Sequence, residues 1–386
     1  MRTAIVHYWL LNRRGGEAVL EALCRIFPDA DIFTLFYDPA SASPGLRGHR
    51  IQASFLNPLR RYHRSLLPLM PLALEHFDLR GYDLVISSES GPAKGVLVSS
   101  NARHVCYCHT PMRYLWELYP EYVREWTHSR LRRALMAPAA HYLRLWDYAS
   151  AARVDEFIAN SRNVQRRIQR CYRRDSEIIY PPVEVDSFYC GAPEDYYLVV
   201  GELVAYKRID TAVRAFSASG RKLRIVGDGP EYRSLRRLAS NGIEFCGRVS
   251  QDALRELYAR SRALIMPGEE DFGITPVEAL ASGKPVVALR RGGALESVDE
   301  RSGEFYDEPV PEHLLAAVER FERREREFDT AYLQARARMF SPERFDSAMR
   351  RFLGHPSAAV LAPEDHGHGP QKKGPIEARP MVPDQV

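Results

Sequence analysis

Short apolar runs separated by amphipathic stretches recur along this chain. In the first half they are Thr3–Trp9, Ile32–Phe36, Tyr82–Ser87, Arg103–Cys108 and Asp155–Ser161. In the second half they are Tyr196–Val200, Leu223–Val226, Ile243–Val249 and Arg262–Pro267. Runs this short, without polar alternation, predict strands buried on both faces, as in parallel sheets. Helices are predicted over Ala18–Phe27, Asp210–Ser217 and Thr275–Ser282, the last with Pro276 in its first turn and Gly283 past its end. A further amphipathic helix runs from Ser341 to Leu353, with Ser341 as its cap. Strands alternating with helices predict two doubly wound, Rossmann-like α/β domains, with Asp155–Ser161 as the last strand of the first. The divisions are a first domain over 1–180, a Pro-stiffened linker over 181–195, a second domain over 196–335, a helix over 336–353 and a tail over 354–386. The tail lacks an apolar period and is expected to be disordered.

The 386 residues are enough for two cores. No uninterrupted apolar run approaches the roughly 18 to 20 residues that cross a bilayer, and the start reads as a strand rather than a signal peptide. The six cysteines lack paired spacing, which points to a reducing, cytoplasmic setting. His104, Cys106, Cys108 and His109 raise zinc, but no second ligand pair accompanies them, so no metal is expected. Asp29 and Asp31 read as turn chemistry rather than a metal motif.

Charge is unevenly distributed along the chain. Residues 45–64 hold five arginines and no acid, and residues 121–174 hold twelve arginines against five acids, within a chain of net charge +4. These arginines are interleaved with Leu59, Tyr62 and Leu66 and with Trp126, Leu131, Leu135 and Met136. That mixture fits peripheral contact with an anionic membrane better than a groove for bases, and no nucleic-acid motif is present. A plain solvated Arg-rich surface is the other reading.

The densest chemistry is Met266-Pro-Gly-Glu-Glu-Asp-Phe-Gly-Ile-Thr-Pro-Val-Glu278. Glu270 falls on a strand-to-helix loop and Glu278 one turn into the helix, at a junction whose free amides suit hydroxyls or phosphate. As an isolated pair they could equally be solvated acids near a helix start. The stretch closely resembles the signature of the retaining glycosyltransferases of family 4, whose fold is GT-B. The resemblance implies that Glu270 reaches the donor sugar, that the turn amides of Phe272, Gly273 and Ile274 hold sugar and phosphate, and that Glu278 binds the nucleotide ribose. Gly15-Gly16-Glu17 resembles the family's loop over the donor diphosphate and acceptor, giving Gly15 and Gly16 to the donor and Glu17 to the acceptor.

His109-Thr-Pro-Met-Arg-Tyr-Leu-Trp resembles the family's bacterial mannosyltransferases of O-antigen and exopolysaccharide synthesis. It implies His109 beside the donor sugar and Arg113 at an acceptor phosphate. The stretch from Gly201 to Lys207 resembles the family's phosphate segment, but Glu202 stands where Arg is usual, so either Arg208 supplies the second cation or diphosphate binding is weaker than the family norm. Gly247-Arg-Val is similar to the segment that cradles the base, implicating Arg248 and Val249. Catalysis would then fall to His109, Glu270 and Lys207, with mannose moving from GDP-mannose to a polyprenyl-diphosphate-linked glycan, without a metal, on the inner membrane face. The last helix is implied to cross back to the first domain. A UDP-sugar transferase and a sugar-nucleotide epimerase share this architecture, and Glu202 gives weight to a catalytically silent membrane-surface protein.

Overall fold

The computed structural model describes residues 1–11, 15–120, 123 and 130–354, excluding the side chains of 130–135. Trp126, the side chains of Leu131 and Leu135, and the expected tail beyond Gly354 lie outside the described residues. The strands are β1 (Thr3–His7), β2 (Asp31–Thr34), β3 (Ile51–Ala53), β4 (Leu84–Glu89), β5 (Arg103–Cys108), β6 (Glu156–Ala159), β7 (Ser176–Ile178), β8 (Tyr197–Val200), β9 (Leu223–Val226), β10 (Ile243–Gly247), β11 (Leu264–Met266), β12 (Val286–Leu289) and β13 (Gly303–Tyr306). The described helices are α1 (Gly15–Ile26), α2 (Met70–Glu75), α3 (Arg130–Ala151), α4 (Arg162–Tyr172), α5 (Ile209–Ser219), α6 (Tyr232–Leu238), α7 (Gln251–Arg260), α8 (Ile274–Ala281), α9 (Ala294–Ser297), α10 (Pro311–Arg324), α11 (Thr330–Ala337) and α12 (Pro342–Gly354).

Two parallel sheets form, in the orders β3-β2-β1-β4-β5-β6-β7 and β10-β9-β8-β11-β12-β13. Their central strands are buried along their length, because helices cover both faces. Strand order reverses at β1/β4 and at β8/β11, and loops leaving neighbouring strands in opposite directions open a crevice there. The loops at these points begin at Tyr8, Ser90, Gly201 and Pro267.

Three expectations need correction. β7, not the strand at Asp155–Ser161, ends the first sheet; it and β3 are three-residue edge strands, too short and too exposed to leave an apolar run. The first helix begins at Gly15 rather than Ala18, which puts Gly15, Gly16 and Glu17 in its first turn. Ser341 caps α12 by position, its carbonyl accepting from Phe345 N–H at 3.2 Å, but its hydroxyl donates to Glu343 at 2.6 Å instead of serving as the expected side-chain cap.

The last helix does cross back. Phe345 and Met349 of α12 are buried with Ile5, Leu20 and Tyr107 of the first domain, and Arg103 Nη1 donates to the Leu353 carbonyl at 2.8 Å. The outgoing and returning chains touch where Val183 N–H donates to Phe340 O at 2.9 Å. Phe272 is wedged at that junction, its ring 5.7 Å from Tyr180 and 5.3 Å from Phe340. The Glu270 turn is thus seated on the hinge.

Candidate active site

The second-domain wall is built by loops that approach closer than side chains allow. A Cβ on Gly227, at φ +134°, would lie 1.9 Å from the Gly201 carbonyl oxygen, and one on Gly268 would lie 2.5 Å from Lys207 O. This contact brings the β8 and β11 loops together, and Lys207 Nζ sits 2.7 Å from Glu270 Oε1. Burial alone would lower the Lys207 pKa, but Glu270, with Tyr206 and Glu202, raises it on balance. The lysine is therefore a cation, and Glu202 adds to the negative field around it. Gly273, at φ +80°, starts α8 without a side-chain cap, so the first amides of α8 are left for a ligand.

Arg208 departs from expectation. Its Nη2 donates to Pro309 O at 3.1 Å and its Nε reaches Asp210 at 3.3 Å. The guanidinium is held by the loop before α10 instead of joining Lys207. Arg248 is exposed and Val249 half-buried on the loop after β10, ahead of α7. Glu278 accepts a hydrogen bond from Tyr258 of α7 at 2.7 Å, and burial raises its pKa while that bond lowers it. Sequence reasoning missed Tyr258, which sits among Leu257 and Ala259 with no polar pattern to single it out. Tyr258→Phe is expected to weaken nucleoside diphosphate binding about 3- to 10-fold, the worth of one hydrogen bond, by calorimetry.

The first-domain wall faces it. A Cβ on Gly15 would lie 3.8 Å from Ile274 Cδ1, and one on Gly16 would lie 2.7 Å from Tyr8 Oη and 3.6 Å from His109 Nε2. The start of α1 therefore lies between His109 and the Glu270 turn. Its glycines keep that space open. Phe272 contributes backbone only, since its ring is buried at the hinge. Glu17, expected on the acceptor, is 4% exposed, which withdraws it from the open cleft. Arg113 is also placed differently: Nη1 reaches Asp271 Oδ2 across the cleft at 3.4 Å, so it is paired with protein rather than held for an acceptor phosphate.

His109 Nε2 lies 3.0 Å from Ser88 Oγ, which lies 3.3 Å from His7 Nδ1. Burial pushes His109 down to about 4, so it acts as a neutral hydrogen-bonding group. Burial also pushes His104 to about 4 and, with His109 as a second cause, holds His7 well below its ordinary value. The unfolded chain takes up these protons near 6.5 and the folded one does not, so this stability is present above pH 6.5 and is lost as pH falls towards 4. Glu89, raised to about 7 by burial, acts oppositely but is one group against three. Denaturant unfolding should show stability falling from pH 6.5 to 5; a rise would contradict neutral buried histidines. Among the described residues no group of three or more His, Cys, Asp or Glu could hold a metal ion.

Two family models match. One described as "Glycosyltransferase Family 4" covers residues 13–187, and one described as "Glycosyl transferases group 1" covers residues 191–338. The human alpha-1,3/1,6-mannosyltransferase ALG2 is 27% identical over 217 residues, 46% of this chain and 52% of that protein. The O-antigen chain mannosyltransferase RfbU of Salmonella typhimurium is 30% identical over 159 residues, 38% of this chain and 45% of its own length. The chain thus spans about half the length of these relatives. The crystal structure of Anabaena HepE with UDP superposes with a TM-score of 0.67 at 16% identity, covering 92% of this chain and all of that one.

Proposed function

The chain belongs to the family 4 glycosyltransferases of the GT-B fold, and on that premise we propose that it moves mannose from GDP-mannose to a lipid-diphosphate-linked glycan, with retention of anomeric configuration. The observation that carries this reading is the Lys207–Glu270 pair, 2.7 Å apart at the second switch point and opposite the start of α1. Donor diphosphate entering between α1 and α8 meets Lys207 and the uncapped amides of α8, which stabilise the charge of the leaving group without calling on a metal. Glu270, released from Lys207 by the incoming phosphate, orients the sugar hydroxyls together with neutral His109. The acceptor hydroxyl attacks the anomeric carbon from the face the diphosphate leaves, and its proton passes to the departing phosphate oxygen. Glu278, steadied by Tyr258, takes the ribose.

Mannose as the sugar is supported by the names of the two relatives, both mannosyltransferases. A lipid-borne acceptor is supported by the first-domain surface. Arg60, Arg61 and Arg64 are exposed there beside Leu59, Tyr62 and Leu69, each about half exposed. Tyr142, Leu145 and Tyr148 form a second exposed apolar stripe on α3. Basic and apolar groups side by side suit the interface of an anionic bilayer, with the protein peripheral on its inner face. No described helix is long and apolar enough to cross a membrane.

Calorimetric titration with GDP, UDP and ADP, with and without EDTA, tests the donor. GDP-selective binding that persists in EDTA and weakens in Glu278→Ala supports the reading. UDP preference overturns the donor assignment, and binding that requires a divalent ion overturns the metal-free step.

A further inference from the structure

Two arginines of the first domain reach over the cleft to the turn that carries Glu270. Arg167 of α4 places Nη2 2.9 Å from Glu269 Oε1 and Nε 2.9 Å from Glu117 Oε2, while its Nη1 pairs with Asp271. Its side chain is only 7% exposed. Arg113, from the loop after β5, lies 3.4 Å from the other Asp271 oxygen and 5.3 Å over the Tyr206 ring. Ser161, the residue that caps α4, donates its hydroxyl to the Asp271 carbonyl at 2.7 Å. One side chain thus ties the start of a first-domain helix to a second-domain turn.

The arrangement alternates along three consecutive acids. Glu269 and Asp271 are held by the first domain, and Glu270 between them is held by Lys207 of the second. Opening the cleft would strip Arg167 of two of its three carboxylates, leaving a nearly buried cation short of partners, which is costly. A turn pinned on both sides has one orientation available for Glu270. With the cleft open, that orientation is no longer imposed.

We propose that Arg167 and Arg113 are positioning residues, a charged clasp on Glu269 and Asp271 that sets Glu270 for sugar transfer only while the two domains are closed. Its catalytic consequence rests on the transferase reading above. The clasp itself is testable without turnover. The nucleotide contacts assigned to Lys207, Glu278 and α8 lie within the second domain, so the clasp should govern closure and turnover more than nucleotide affinity.

The experiment compares wild type with Arg167→Gln, the milder Asp271→Asn, and the double variant. Small-angle X-ray scattering reads the shape, calorimetry reads GDP binding, and initial rates give kcat and KM for GDP-mannose. Thermal unfolding checks that each variant folds. Expected are a larger radius of gyration in both single variants, GDP affinity within about threefold of wild type, kcat down about tenfold with donor KM little changed, and a double variant whose loss exceeds either single but falls short of their sum, because the two substitutions share the Arg167–Asp271 contact. An unchanged scattering profile overturns the clasp whether or not turnover is detected. So do additive losses in the double variant, or loss of GDP affinity in step with kcat, which would make the turn part of the nucleotide site. If no nucleotide sugar is turned over by wild type, the transferase reading fails while the scattering comparison still decides the clasp.

Discussion

Lys207→Ala is expected to lower turnover about 100- to 1,000-fold while leaving the protein folded, the scale seen when one group that stabilises developing charge is removed. The side chain is 20% exposed and its ion pair is at the cleft, so its loss opens no core cavity. Arg208, turned to Pro309 and Asp210, does not share the task, and Glu202 brings a negative charge where a cation would help. Loss of Lys207 should therefore fall on kcat, with a smaller loss of nucleoside diphosphate affinity. Lys207→Arg should recover only part of the rate, because a planar fork does not reproduce a point charge at 2.7 Å from Glu270. Single-turnover rates on matched, folded samples check this. Activity within about threefold of wild type would remove Lys207 from the leaving-group step.

Lys94→Met is expected to destabilise the fold by about 3–5 kcal/mol, the cost of stranding buried charge. Lys94, Glu89 and Asp147 are all fully buried; Lys94 Nζ lies 3.4 Å from Glu89 and is hydrogen-bonded to Asp147. Asp147 also accepts from Trp116 Nε1 at 2.8 Å and from Tyr172 at 3.0 Å, so the cluster ties β4, α3 and α4 together. Without the lysine, burial drives Glu89 still further above its ordinary value. A raised carboxyl stabilises the fold at low pH and loses that contribution as pH rises, so Lys94→Met should be less stable at pH 8 than at pH 6. Denaturant unfolding at both values is the check, and pairing Lys94→Met with Glu89→Gln should restore part of the loss. A variant as stable as wild type would mean the carboxylates do not depend on this cation. The damage should also reach the site, since the Glu89 carbonyl accepts the His109 N–H at 2.7 Å.

What could be read in the chain was local. Glu270, Gly273 and Glu278 fall within one strand-turn-helix, so their spacing already states their geometry, and the junction forms between β11 and α8 as expected. The parallel sheets were legible because buried strands leave unbroken apolar runs. What escaped depends on partners far apart in sequence. Arg167 and Asp271 are 104 positions apart, and in sequence Arg167 was one of twelve arginines in a basic stretch. Tyr258, twenty positions before Glu278, carried no mark of its role, and Lys94 lay in a loop with no visible counterpart. Arg208 misled for the reverse reason. Adjacency to Lys207 implied a shared target, but its own φ of +51° sends the two side chains to different partners.

The proposed metal-independent, retaining transfer from a nucleotide sugar is read most plainly in its product. Purified protein would be incubated in EDTA with GDP-mannose and a polyprenyl-diphosphate-linked glycan, and the new linkage read by proton NMR. An α-linked mannose, formed at the same rate with or without EDTA and at a rate depressed in Lys207→Ala, is the predicted result. A β-linked product, or no transfer from GDP-mannose or any other nucleotide sugar, would contradict it.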